Sequence, residues 1–147
     1  MSKQMQNIYE YLQQDGRFKS IVSALRKTKL DKLLASPGDF TVFAPTDAEC
    51  ELDLQKKGTS CKEVLSDEKL LAKLIRCHII EGNFPTRKLA TIVVLNPMNG
   101  SSLMVEYDKG IKLNGDTRIT EKNIACSNGI LHIVDGMLCP KGQLRKK

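Results

Sequence analysis

The side chains best suited to chemistry in this sequence are two histidines and their neighbours. Cys77 precedes His78, and a thiol beside an imidazole is the pairing that a cysteine nucleophile requires. We predict a short strand over Cys77–Gly82, where neighbouring side chains point to opposite faces and cannot share a hydrogen bond. His132 and Asp135, three residues apart on another predicted strand, meet the same obstacle. With no local serine-histidine-aspartate pattern and no glycine-rich phosphate loop, we expect no enzymatic activity and no cofactor.

The cysteines could support redox or metal chemistry. They are Cys50, Cys61, Cys77, Cys126 and Cys139. No two are spaced as C-x-x-C, and only two histidines accompany them, so we expect no metal site. An extracellular chain could form at most two disulfides and keep one thiol, whereas in the cytoplasm all five thiols would be free and mostly buried. The first pairs to test are Cys50 with Cys61, which flank a short polar segment, and Cys126 with Cys139, which bracket the last hairpin.

The net charge of +6 does not predict nucleic-acid binding. Residues 141–147 hold four of the 23 basic residues and no acid, so the rest of the chain is nearly neutral. Only seven aromatic residues are present, and none is interleaved with a basic run. No apolar run is long enough to span a bilayer, so we expect no stable membrane insertion. We predict one domain over residues 7–140, between an N-terminal tail (1–6) and a basic C-terminal tail (141–147).

Helical periodicity dominates the first half of the chain. The predicted apolar faces are Met5, Ile8, Tyr9 and Leu12; Phe18, Ile21, Val22 and Leu25; Leu30, Leu33 and Leu34; and Leu70, Leu71, Leu74 and Ile75. A short strand, Phe40–Ala44, interrupts these helices. Thr46, followed by Glu49 three residues later, forms a capping pattern that starts the next helix, with Asp47 in its first turn. Residues 56–60 are loop by composition.

Strands and tight turns dominate the second half. We predict short strands over residues 92–95, 103–107, 111–113, 119–120 and 124–126, with turns at residues 108–110 and 114–115. Asn128-Gly129 predicts a type I′ hairpin turn, because both central residues of that turn need positive φ. The apolar run that follows, 130–134, is typical of a strand buried on both faces, and we interpret its His132 as structural. Helices first and strands second predict an α+β fold with an antiparallel or mixed sheet.

Three of these segments together resemble one family. Phe40–Ala48, Cys77–Gly82 and Asn123–Asp135 are similar, in order and spacing, to the two signature stretches and the central histidine motif of the fasciclin-like adhesion domain. Asn7-Ile8 resembles that family's entry into its first helix, so the resemblance covers roughly residues 7–140. It implies N-terminal helices packed against a β-sandwich or wedge-like sheet. The form without an anchor looks most like the secreted, single-domain microbial members.

The resemblance implies an adhesion or binding module at the cell surface or in the extracellular matrix. Its expected partners are extracellular proteins or glycans, with weak self-association as a further expected contact. Secretion is expected from the family, although the start of the chain lacks the apolar stretch of a signal peptide, which leaves a cytoplasmic location as the alternative. The sequon at Asn99 suits a secreted eukaryotic protein.

Two positions depart from the family's adhesive motifs. Members that contact integrins through the central motif have tyrosine before the histidine, where this chain has Cys77. The other adhesive stretch places an acid before isoleucine, whereas here Asn123 precedes Ile124 and the acid, Glu121, lies two residues upstream. These departures disfavour integrin binding. The predicted partner-binding residues are Glu121, Lys122, Asn123, Ile124 and His78.

The predicted structural residues of the motifs are Thr46, Asp47, His78, Asn128, Gly129 and His132. A buried imidazole needs a hydrogen-bond partner, so we expect Thr46 or Asp47 to bond His78. An alternative function is the carriage of a lipid or pigment in an apolar cleft between helices and sheet. The residues predicted to line that cleft are Leu70, Leu74, Ile79 and Ile92, and each is equally explained as ordinary core.

Overall fold

The structure, a computed structural model, describes residues 6–98, 102–107 and 109–138. Met5, the Asn99 sequon, Asp108, Cys139 and the basic tail therefore lie outside the described residues. In chain order the elements are α1 (Ile8–Asp15), α2 (Lys19–Lys27), α3 (Asp31–Ala35), β1 (Phe40–Pro45), α4 (Asp47–Lys56), α5 (Cys61–Ser66), α6 (Glu68–Cys77), β2 (Ile79–Glu81), α7 (Thr86–Leu89), β3 (Val94–Leu95), β4 (Leu103–Tyr107), β5 (Ile111–Leu113), β6 (Thr117–Cys126) and β7 (Gly129–Val134). This order confirms the predicted α+β class.

The strands form one mixed sheet in the order β2-β1-β7-β6-β5-β4-β3. β1 and β7 run parallel, and the other neighbouring pairs of the described strands are antiparallel. Beyond β3, the Met98 N–H donates to the Ile79 carbonyl of β2 over 3.0 Å. That bond links the two ends of the sheet, which curls nearly into a barrel.

Two apolar clusters lie on opposite faces of β1. Phe40, Val42 and Ala44 join α1–α6 in a helical core, whereas Phe43 faces a second core inside the curled sheet. The side chains of β7 also face both cores, with Leu131 in the helical core and Val134 in the second core. Burial on both faces explains the continuous apolar runs of these central strands.

Side-chain caps mark the starts of several helices. Thr46 accepts a hydrogen bond from the Glu49 N–H, and α4 begins one residue later, as predicted. Asp67 caps α6 through the Leu70 N–H. Asn7 forms a full capping box with Glu10 at α1. In the described residues, no helix is long and apolar enough to cross a membrane.

The predicted type I′ turn at Asn128-Gly129 is wrong, although the hairpin itself is present. Cys126 pairs with Gly129, so the two turn residues are Ser127 and Asn128, and neither has a positive φ. Asn128 turns inward instead. Its Oδ1 accepts from the Ile8 N–H over 3.0 Å, and its Nδ2 donates to the carbonyls of Leu34 (2.7 Å) and Ser36 (2.9 Å).

Gly129 is required by the neighbouring strand and by its own backbone. Its φ is 155°, and an added Cβ would collide with the Phe40 carbonyl of β1. The Phe40 N–H in turn donates to the Asn128 carbonyl over 2.9 Å. Asn128 and Gly129 therefore set the start of the β1–β7 pairing.

Other predicted boundaries also shift. The strand predicted for Cys77–Gly82 is wrong at its start, because α6 continues through Cys77 and His78 ends that helix before β2 begins. α5 was not predicted. Residues 119–120 and 124–126, predicted as separate strands, belong to one irregular strand, β6. For α5 a local signal was available, because Ser60 caps this helix by accepting from the Glu63 N–H over 3.1 Å.

We expect Asn128→Ala to lower the free energy of unfolding by about 2–4 kcal/mol, because a buried N–H, a buried carbonyl and a partly buried carbonyl lose that partner. Urea denaturation measures the change. Asn83 is exposed and bonds Asp39 at the surface, so Asn83→Ala should change stability by less than about 0.5 kcal/mol. Equal losses in the two variants would contradict the assigned role of Asn128.

Candidate functional site

A bulge in β6 shapes the surface that carries four of the predicted partner-binding residues. Glu121 pairs with Ile133 and Ile124 pairs with Leu131, so three steps along β6 match two along β7. Asn123, within the bulge, has a φ of 57°, a left-handed conformation that asparagine tolerates better than most residues. We call residues 121–124 the bulge segment.

Three hydrogen bonds hold Asn123 in place. Its Oδ1 accepts from the Thr86 N–H over 3.0 Å, and its Nδ2 donates to Thr86 Oγ1 over 3.0 Å. Its own N–H donates to His132 Nδ1 over 3.1 Å. The bulge segment is therefore fastened both to the start of α7 and to the sheet beneath it.

His132 supports the bulge segment from inside the sheet. The imidazole is fully buried, stacks on Phe43 with ring centroids 5.5 Å apart, and lies 2.8 Å from the Phe84 carbonyl through Nε2. A carbonyl only accepts and an N–H only donates, so the proton is on Nε2 and Nδ1 is the acceptor. Burial lowers the pKa of His132 and so favours this neutral form.

The exposed side of the bulge segment is charged. Arg17 donates from Nη1 to Glu121 Oε2 over 2.6 Å and also pairs with Asp15. This exposed cluster adds little stability but orients the Glu121 carboxylate. Lys122 is exposed beside it, and Ile124 packs partly against the helical core.

His78, the fifth predicted partner-binding residue, is not part of the surface, because only 2% of it is exposed. Its Nδ1–H donates to the Leu74 carbonyl over 2.6 Å, and its Nε2 accepts from the Leu138 N–H over 2.8 Å. Burial, together with the charge of Lys57, lowers the pKa of His78 to about 4. A partner cannot reach this side chain in the folded chain, which corrects its prediction as a partner-binding residue.

The predicted bond from Thr46 or Asp47 to His78 is wrong. Both imidazole nitrogens of His78 are occupied by backbone groups, as described above. Asp47 instead accepts from the backbone N–H groups of Lys19 (3.0 Å) and Ser20 (2.7 Å) at the start of α2. It thus ties α4 to α2 rather than to the central histidine.

As expected, the imidazole nitrogens of His78 and His132 do not bond Cys77 and Asp135. Both His78 nitrogens bond backbone, and Asp135 accepts from the Arg118 N–H over 2.8 Å while His132 bonds other groups. Among the residues that the structure describes, no group of three or more histidine, cysteine, aspartate or glutamate side chains could hold a metal ion.

The residues predicted to line a carrier cleft are divided between the two cores. Leu74 and Ile79 are buried in the helical core and Leu70 packs against it, whereas Ile92 packs against the second core. An apolar cavity elsewhere in the helical core, beside Cys50 and Cys61, measures about 20 Å³. That volume suits one water molecule rather than a lipid or pigment.

Sequence reasoning missed the partners that hold the bulge segment. Thr86, Phe84 and Arg17 were not among the predicted site residues. One signal was available: an asparagine inside a strand-like run often marks a left-handed bulge. The identity of its partner was not readable, because Thr86 lies 37 residues away.

Comparisons with known proteins agree on one family. A family model described as the fasciclin domain matches residues 16–140. The protein sll1735 of Synechocystis sp. is 32% identical over 135 residues, covering 91% of this chain and 98% of that protein. Human periostin is 33% identical over 138 residues, and the chain spans only 16% of its length. A domain pair from the insect cell adhesion molecule fasciclin I, at 16% identity, shares the fold with a TM-score of 0.82 over 96% of this chain and 53% of that one.

The depressed histidine pKa values make stability depend on pH. Between about pH 6.5 and 4 the unfolded chain binds a proton at His78 that the folded chain does not, so the free energy of unfolding falls as pH falls. We expect a loss of about 2 kcal/mol or more between about pH 7 and pH 4.5, to which His132 adds in the same direction. Urea denaturation at both pH values measures it. A free energy that stays constant across this window would contradict the buried, neutral histidines.

Substitutions at Asn123 should separate its backbone role from its side-chain role. Asn123→Gly keeps the left-handed backbone but loses both side-chain bonds to Thr86. Asn123→Ala loses the same bonds and also strains the backbone, so we expect it to be less stable than the glycine variant by roughly 1 kcal/mol. Urea denaturation measures the difference in the free energy of unfolding between the two variants. An alanine variant as stable as the glycine variant would show that the positive φ is not required.

Proposed function

Because the chain belongs to the fasciclin domain family, we propose that it acts as a non-enzymatic adhesion module, which binds a protein or glycan at the cell surface or in the extracellular matrix. The solved relative that shares its fold comes from an insect cell adhesion molecule. Relatives differ in size: the chain matches nearly all of the Synechocystis protein but a sixth of periostin. We therefore infer the chemistry of the partner from this chain's own surface.

The bulge segment is held in a fixed position at the surface, and this supports the proposal. Asn123 is held by Thr86 and His132, so its exposed neighbours keep a fixed position without a partner. A surface that is already ordered loses less conformational entropy on binding. Glu121 and Lys122 present both signs of charge there, which suits a polar or charged partner.

The charged character of this surface favours a modest affinity for each copy. Exposed charges steer and orient a partner more than they strengthen the complex. Adhesion through such contacts becomes effective when several copies act together. We place this activity outside the cell or at its surface, with the cytoplasm as the alternative location that fractionation of the source cells would distinguish.

We expect Lys122→Ala to weaken binding to immobilised matrix proteins or glycans roughly 3- to 10-fold, with an unchanged Tm, because it removes an exposed charge from the bulge segment. Surface plasmon resonance on a panel of such partners measures the affinity. Lys69→Ala, which removes another exposed lysine, in α6, is the matched control and should bind like the parent chain.

A chain that lacks residues 141–147 tests the basic tail separately. The proposal predicts that this shortened chain keeps its binding and its sensitivity to Lys122→Ala. If Lys122→Ala binds as tightly as the parent while the shortened chain loses binding, the tail and not the bulge segment is the contact.

A further inference from the structure

Two thiols that the proposed adhesion surface does not use lie against each other in the helical core. The Cys50 and Cys61 sulfurs are 3.4 Å apart and both residues are free cysteines. Cys50 is in α4 and Cys61 is the first residue of α5, so the two thiols meet across the α4–α5 turn at a sequence separation of 11. A disulfide places its sulfurs about 2.05 Å apart, so an approach of about 1.4 Å would join them.

The two thiols differ in access. Cys50 is only 3% exposed, whereas Cys61 is half-buried at the protein surface. Glu51 accepts from the Cys61 N–H over 3.2 Å, which fixes the start of α5 beside α4. Both cysteines also line the apolar cavity of about 20 Å³, which leaves room for small movements of the sulfurs.

We propose that Cys50 and Cys61 form a redox pair, which closes into a reversible intramolecular disulfide by exchange with an external disulfide of the glutathione class. The accessible Cys61 thiolate attacks one sulfur of the external disulfide, and the first thiolate leaves. Cys50 then loses its proton and attacks the Cys61 sulfur, which expels the second thiolate. In total, two protein thiols are oxidised, one external disulfide is reduced to two thiols, and two protons pass to those products.

The surroundings of the pair set its rate. Burial and the Glu51 carboxylate raise the pKa of the Cys61 thiol, and burial raises that of Cys50 further. Few thiolates are therefore present at neutral pH, so closure is slow there and faster in mildly alkaline solution. Closure would tie α4 to α5 and make the helical core more resistant to unfolding.

Peptide mapping of the full chain tests the proposal. Trypsin places the two cysteines in separate peptides, 33–56 and 58–62. After incubation of the folded protein with oxidised glutathione, we expect these peptides to be joined, with the loss of two hydrogen atoms from the pair. We also expect Tm to rise by roughly 5–10 °C, and reductant to reverse both changes.

Single variants separate the two steps. In Cys50→Ser the second thiol is missing, so a glutathione adduct should remain on Cys61. Cys126→Ser, which removes another buried free cysteine, is the control and should still form the disulfide. Peptides 33–56 and 58–62 that stay unlinked in the parent chain after oxidation would overturn the proposal, as would an unmodified Cys61 in the Cys50→Ser variant. Neither result depends on adhesion.

Discussion

The parallel pairing of β1 with β7 is the constraint on which the rest of the structure depends. Phe40 pairs with Gly129 and Phe43 with His132, and this register decides which side chains enter each of the two cores. Its start is set by a close approach of two backbones, which only glycine permits. Asn128 then connects that point to α1 and α3 through buried hydrogen bonds. If one of the two strands shifted by one residue, its two faces would be exchanged.

The pairing of β1 with β7 also determines how the bulge segment is held in place. His132 is part of β7, so the register places its imidazole under the bulge of β6, where it receives the Asn123 N–H. His78 makes a similar bond at the end of α6. Its Nε2 accepts from the N–H of Leu138, a residue that follows β7. Both histidines are thus buried connectors between backbones rather than reactive groups. The rigid display of Glu121 and Lys122 is a consequence of that inner framework.

Local patterns predicted much of the fold, because apolar periodicity and caps act over a few residues. The helix that starts after Thr46 and the central strands follow from such signals, and three ordered motifs together identified the family. The contacts that organise the site act over long separations instead: 120 residues between Ile8 and Asn128, and 60 between His78 and Leu138. Asn128-Gly129 was misassigned for this reason, since its side chain serves distant backbone groups rather than its own turn.

Two neutral, buried histidines connect the backbone, and we expect them to hold opposite tautomers. His132 donates through Nε2 to Phe84, whereas His78 donates through Nδ1 to Leu74. Long-range proton–nitrogen NMR correlation of the imidazole rings at neutral pH measures this directly. We expect a protonated Nε2 in His132 and a protonated Nδ1 in His78. The same tautomer in both rings, or a charged ring in either, would contradict it.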